Sequence, residues 1–136
     1  PDTDESYQKD KGAVLTYAPQ YPEQVYAITV GSETFYRGNF TGDQLLVKIL
    51  DVKNALGGKF KVGTADTWNK FQDGTADPLI KGGADILLCN AFSYWQGQSI
   101  DNSSNSFFDD ISQAFGHIQK VSGGSDKPIE LWVGEA

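Results

Sequence analysis

Apolar positions fall along the chain in two rhythms, short continuous runs and longer stretches with helical spacing. Asp2, Thr3, Asp4 and Glu5 put a cap and negative charge where a helix start is positive, which predicts a helix over about residues 4–17, stopped near Pro19. Val25–Val30 reads as a strand that ends at Gly31-Ser32-Glu33. Thr41-Gly-Asp-Gln44 fits a capping box. Leu45, Leu46, Ile49, Val52, Ala55 and Leu56 then recur at helical spacing, and Gly57-Gly58 ends the run. Phe60–Ala65 is a second strand, followed by a weak helix over about 69–81. Ile86–Phe92 reads as a buried strand. A polar loop, 96–104, precedes a helix from Ser106 whose stripe is Phe107, Phe108, Ile111, Ala114, Phe115 and Ile118. Ile129–Val133 is the last strand.

The resulting α-β-α-β-α-β-α-β order predicts an α/β fold with a parallel sheet and right-handed crossovers. Two architectures fit, a small open sheet and part of a (β/α)₈ TIM barrel. A complete barrel takes about 250 residues and eight strands; this chain has 136 residues and four predicted strands. It opens on a helix and ends where a strand ends, and the expectation is therefore an internal piece of a larger barrel, a single domain with no second domain beside it.

Composition narrows the chemistry. Eleven Lys and Arg against eighteen Asp and Glu leave a net charge of −7, which argues against nucleic acid or an anionic membrane as partner. No apolar run approaches the roughly 20 residues of a membrane-spanning helix, and any secretion signal is expected outside this chain. One cysteine excludes an internal disulfide and one histidine excludes a multi-His metal site.

In parallel α/β folds, functional groups gather at the carboxyl ends of strands. Glu33 and Glu135 each end a strand, with a glycine two residues or one residue before. Each is either a solvated loop carboxylate or half of a catalytic pair, since two carboxylates on one cleft can act as general acid/base and nucleophile on a glycosidic bond. Trp68, Phe92, Tyr94 and Trp95 lie at or just past strand ends, where rings can stack on sugar faces. Asp66, Asn69, Asn90, Ser93 and Gln96 would supply hydroxyl-binding groups between them. Taken singly, each aromatic also fits an ordinary core or rim position.

Residues 1–7 (Pro-Asp-Thr-Asp-Glu-Ser-Tyr), 30–33 (Val-Gly-Ser-Glu), 62–68 (Val-Gly-Thr-Ala-Asp-Thr-Trp), 90–98 (Asn-Ala-Phe-Ser-Tyr-Trp-Gln-Gly-Gln), 106–110 (Ser-Phe-Phe-Asp-Asp) and 132–135 (Trp-Val-Gly-Glu) resemble, in order, the fungal branch of glycoside hydrolase family 17. Within that branch the chain is most similar to the yeast-type cell-wall glucan 1,3-β-glucosidases and β-1,3-glucanosyltransferases. The resemblance implies a (β/α)₈ barrel, of which this chain carries strands four to seven, and retaining cleavage of β-1,3-glucan without metal or organic cofactor. It makes Glu33 the acid/base and Glu135 the nucleophile; Asp66, Trp68, Asn90, Tyr94 and Trp95, at or just past the strand ends, are the residues expected to bind substrate. It also implies a secreted protein of the fungal cell wall, whose partners are the glucan and the barrel strands missing from this chain. In the position before the acid/base, where related barrels often carry Asn, this chain has Ser32, as in the fungal branch; Ala136 stands where family members usually have Thr.

Asn39 and Asn102 begin N-glycosylation sequons, Asn102 in the polar loop and Asn39 close to the Thr41 cap. Cys89 reads as a buried small hydrophobe and His117 as a surface or boundary residue. Two functions from different classes remain: a retaining β-1,3-glucan hydrolase or transglycosylase, and an inert glucan-binding or structural fragment of such a barrel.

Overall fold

The computed structural model describes residues 1–92, 97, 99–123 and 129–136, with the backbone alone for Ile100. Helix α1 (Asp4–Tyr17) runs into a short 3₁₀ turn at Ala18–Gln20; then come β1 (Ala27–Ser32), α2 (Gly42–Ala55), β2 (Lys61–Thr67), the short helices α3 (Trp68–Gln72) and α4 (Asp77–Gly82), β3 (Ile86–Asn90), α5 (Ile100–Ser122) and β4 (Glu130–Glu135). The four strands pair in parallel in the order β1-β2-β3-β4. The α/β reading and the strand count therefore hold.

The caps do what their residue types allow. Thr3 and Thr41 each close a capping box, with Ser6 and Gln44 as the reciprocal partners, so orphan N–H groups at both helix starts are satisfied. The weak helix expected over 69–81 is two pieces. Gly74 takes a left-handed φ of 90° between them, and Pro78 can sit only in the first turn of a new helix. Helix α5 begins at Ile100, six residues before the expected start at Ser106, and takes in residues 100–104 of the expected polar loop. Residues 101–106 are polar, so no apolar stripe marks the first turns. Phe108 leaves the stripe and is 62 % exposed, whereas Ile111, Ala114 and Ile118 are buried.

Among the described residues the helices lie on one side of the sheet. Leu45, Ile49 and Val52 of α2, Phe71, Leu79 and Ile80 of α3 and α4, and Ile111, Ala114 and Ile118 of α5 form one buried cluster with Val30, Val62, Leu87 and Cys89 of the strands. By strand alternation Lys61, Leu88, Asn90, Glu130 and Trp132 point to the other face. That face is concave. Tyr26, just before β1, donates its hydroxyl to Glu130 Oε1 at 2.5 Å, and its ring stacks on Trp132 of β4 with centroids 5.5 Å apart. In a flat sheet the two outermost of four strands stand about 14 Å apart at the usual strand spacing. Side chains from β1 and β4 meet because the sheet curls as a barrel wall does.

Candidate active site

Both glutamates reach the same mouth through the same backbone device. Thr29 pairs with Gly63 and Ser32 with Ala65, so β1 spends three residues where β2 spends two. Val133 pairs with Cys89 and Glu135 with Asn90, so β4 holds an extra residue as well. Each strand carries a bulge just before its carboxylate, and a bulge re-aims the residue that follows. Both strands thus run through their glycine, where the hydrophobic pattern ended them at Val30 and Val133. Gly31 serves the first bulge with a φ of 80°. Gly134 serves the second by leaving room: a Cβ there would lie 2.5 Å from Asn90 Oδ1 and 3.1 Å from Leu88 Cβ.

Glu33 itself has a φ of 57°, the one positive value at a non-glycine residue among the described residues. Such a conformation costs of order 1–3 kcal/mol and persists only where the surroundings impose it. Asp66 is what imposes it. Its fully buried carboxylate accepts the N–H of Phe35 at 2.9 Å through Oδ2 and the N–H of Thr67 at 2.8 Å through Oδ1, and the Tyr36 N–H also bonds to it. The Glu33 N–H donates to the Ala65 carbonyl at 2.8 Å, and the Arg37 N–H returns to the Glu33 carbonyl at 2.9 Å. Burial raises the Asp66 pKa, the backbone N–H groups oppose the rise, and the nearby Glu33 charge adds to it. Asp66 therefore anchors the turn that carries Glu33. Its oxygens are spent on backbone N–H groups, and it is not among the described residues that line the cleft.

The cleft has a volume of about 520 Å³ and is lined by Glu33, Tyr36, Thr67, Trp68, Asn69, Asn90, Phe92 and Glu135. Glu33 and Glu135 face this one space, as do Trp68 and Asn90 among the expected substrate-binding residues. Trp68 is there because α3 starts at the residue after β2. Asn90 is 1 % exposed and donates its side-chain amide to Glu33 Oε1 at 3.4 Å. Tyr36 and Thr67 also line the cleft and were not singled out in the sequence. Tyr36 follows Glu33 by three residues within the turn that Asp66 folds back, a geometry no local pattern encodes. The expected residues Tyr94 and Trp95, with Ser93 and Gln96, lie outside the described residues.

The other singled-out residues sit away from the cleft. Asn102 is exposed in the first turn of α5, and its N–H donates to the Ser99 carbonyl at 3.1 Å. Asn39 is half-buried, and the neighbouring Thr41 hydroxyl is engaged as the α2 cap. His117 Nε2 lies 2.8 Å from Asp77 Oδ1 and ties α5 to α4. Burial and the charges of Asp110 and Asp66 push the Cys89 thiol up to about 12, so it stays protonated and unreactive at neutral pH. Among the described residues no three His, Cys, Asp or Glu side chains converge as a metal site requires, and no helix is long and apolar enough to cross a membrane.

A curled parallel sheet with helices on its convex side, and a cleft at the carboxyl ends of its strands, defines part of an α/β barrel. Residues 1–136 match the BtgE/BtgC glycoside hydrolase domain throughout, and the chain belongs to that family. It is 52 % identical over 132 residues to a glucan 1,3-beta-glucosidase of Arthroderma benhamiae, covering 96 % of this chain and 42 % of that protein. It is 42 % identical over 147 residues to a glucan 1,3-beta-glucosidase of Saccharomyces cerevisiae, covering 99 % of this chain and 46 % of that protein. The crystal structure of the glycoside hydrolase family 17 beta-1,3-glucanosyltransferase from Rhizomucor miehei superposes with a TM-score of 0.76 at 28 % identity, over 96 % of this chain and 46 % of that one. The chain thus spans a little under half the length of these relatives, and the resemblance to family 17 holds along the whole of it.

Proposed function

We propose that the full-length protein carrying these residues is a retaining β-1,3-glucan hydrolase or transglycosylase. The observation that carries the reading is that Glu33 and Glu135, 102 positions apart in the chain, are each delivered by a bulge to one cleft lined by Trp68, Phe92 and Asn69. In this reading Glu135 attacks the anomeric carbon while Glu33 protonates the departing glycosidic oxygen. Glu33 then takes a proton from the acceptor, which attacks the same carbon and frees Glu135. Water as acceptor gives hydrolysis and a glucan hydroxyl gives chain transfer. Trp68 supplies a face for sugar stacking, and Asn69 and Thr67 supply polar groups at its edge. Both proteins of known sequence named above are glucan 1,3-beta-glucosidases, and the structural neighbour is a β-1,3-glucanosyltransferase, which supports the substrate class. A secreted, cell-wall location follows from such a substrate.

The test uses the full-length protein and a laminari-oligosaccharide with an activated aryl leaving group. The wild type and Glu33→Gln form a glycosyl adduct detectable by intact mass, because such a leaving group needs no proton; Glu135→Gln forms none. Equal adduct formation in all three would overturn the assignment. Binding of the oligosaccharide with no turnover by the wild type would favour the inert glucan-binding reading.

A further inference from the structure

Asn90 stands between the two glutamates, and we propose that it is a positioning residue that holds Glu33 by Oε1 and so leaves Oε2 as the oxygen that gives and takes the proton. The inference rests on the reading of Glu33 as acid/base. Three observations support it. The side-chain amide donates to Glu33 Oε1 at 3.4 Å from a residue that is 1 % exposed. The other end of the same amide, Oδ1, is buried with no hydrogen-bond partner. A Cβ on Gly134, the residue before Glu135, would come within 2.5 Å of that oxygen.

A buried carbonyl oxygen without a donor is unfavourable, and an apolar side chain of similar shape would avoid it. An amide is kept here, in the orientation that turns N–H and not C=O toward a carboxylate. Asn90 also pairs in register with Glu135, and the Ala91 N–H donates to the Glu135 carbonyl at 3.0 Å. The side chain is therefore wedged between the strand that carries one glutamate and the side chain of the other. It cannot swing away without moving Gly134.

The chemical consequence concerns one proton. A carboxyl oxygen that accepts an amide N–H is the poorer place for the acid proton, so the proton sits on Oε2. In the first step Oε2–H passes to the glycosidic oxygen as the bond from that oxygen to the anomeric carbon breaks and a Glu135 oxygen bonds to that carbon. In the second step Oε2 takes the proton of the acceptor O–H, the acceptor oxygen bonds to the anomeric carbon, and the ester to Glu135 breaks.

The experiment compares Asn90→Ala and Asn90→Leu in the full-length protein. Leu fills the site without a donor and serves if the smaller side chain unsettles the fold. Two substrates are used, a reduced β-1,3-glucan oligosaccharide and a dinitrophenyl β-glycoside of a laminari-oligosaccharide. Proton delivery is worth about 10²–10⁴-fold. With the acid misplaced but present, kcat on the oligosaccharide should fall roughly tenfold to a hundredfold, with KM within about twofold. The burst of dinitrophenolate should fall less than about threefold, because that leaving group needs no proton. Equal loss on both substrates would show a merely structural role, and a raised KM at unchanged kcat would show a sugar contact; either overturns the proposal, as does wild-type behaviour. If Glu33→Gln and Glu135→Gln leave oligosaccharide turnover intact, the glycosidase reading falls and this one with it. If both glutamates are required and the Asn90 variants show no split between substrates, the positioning role alone falls.

Discussion

The carboxylate of Asp66, at the end of β2, accepts the backbone N–H of Phe35 at 2.9 Å, two residues beyond Glu33. The side chain of one strand thus sets the path of the loop leaving its neighbour, and with it the left-handed conformation of Glu33. Asp66→Ala would leave the N–H groups of Phe35, Tyr36 and Thr67 buried without that acceptor. We expect a loss of about 3 kcal/mol in the full-length protein, since each orphaned buried donor costs about 1–3 kcal/mol and part is recovered by relaxation. Thermal unfolding checks the stability term. Glucan turnover should fall at the same time, because Glu33 would relax out of its imposed backbone. Unchanged turnover in a folded Asp66→Ala protein would contradict the anchoring role.

Much of this arrangement is visible in the sequence and two parts are not. The capping boxes at Thr3 and Thr41 and the α2 stripe are local, and local patterns report them well. The two glutamates stand out in the sequence because a carboxylate just past an apolar run and a glycine is an uncommon signal, and both line the one cleft. Asp66 is ambiguous in the sequence because its type and place, polar at a strand end, are the same for a sugar ligand and for an anchor. What separates the two roles is where β1 lies beside β2, a contact 31 residues away in sequence. The bulges were missed for a related reason. A glycine ends a hydrophobic pattern whether the strand stops there or continues with one residue extra, and only the pairing with the neighbour distinguishes them.

Gly134 is expected to tolerate no side chain. Its Cβ would press on Asn90 Oδ1, which is buried, and on Leu88 Cβ, which the β3 backbone holds in place. Gly134→Ala should cost about 1–3 kcal/mol, as overpacking does. It should also cut turnover more than a surface substitution would, since the displaced atoms adjoin both glutamates. A Gly134→Ala protein with wild-type kcat and melting temperature would show that the β4 bulge does not need a glycine.

Helix α1 is held to α2 through Asp51. Tyr7 donates its hydroxyl to Asp51 Oδ2 at 2.5 Å, and Lys11 Nζ bonds to the same oxygen at 2.6 Å. The Lys11 bond, then the Tyr7 bond, lowers the Asp51 pKa below its ordinary 3.8. A carboxylate whose folded pKa is lowered contributes stability above its unfolded value, and that contribution is lost as pH falls through the folded one. The α1–α2 contact should therefore hold at pH 5 and weaken below about pH 4. Tyr7→Phe keeps the buried ring and removes one hydrogen bond, and it should cost about 1 kcal/mol at pH 6. The difference in melting temperature between wild type and Tyr7→Phe should shrink as the pH is taken from 6 to 3. A constant difference would mean that the hydroxyl acts through its other acceptor, the Lys48 carbonyl at 3.2 Å, and not through Asp51.

The concave face bears on how these 136 residues behave when expressed alone. Tyr26 is 54 % exposed and Trp132 47 % on that face, and Val133 is 43 % exposed on β4. Lys61, Glu130, Tyr26 and Trp132 bond to one another across it, so the polar groups there are matched internally while the rings beside them meet water. Among the described residues no strand pairs with the outer edges of β1 and β4, and such edges are the usual template for pairing with another chain. Large side chains left in water forfeit roughly 1.5–3 kcal/mol each, against a whole-domain stability of about 5–15 kcal/mol. Two or three such side chains, together with two open edges, take a large share of that margin. Residues 1–136 alone should therefore elute from a sizing column as oligomer or aggregate, bind a hydrophobic dye and show no glucan turnover. Trp132→Lys should reduce dye binding, because it removes the largest ring on that face, yet it should not restore a monomer while the edges stay open. A sharp, dispersed NMR spectrum from monomeric residues 1–136 would refute the argument and show that the curled four-stranded sheet is a stable unit by itself.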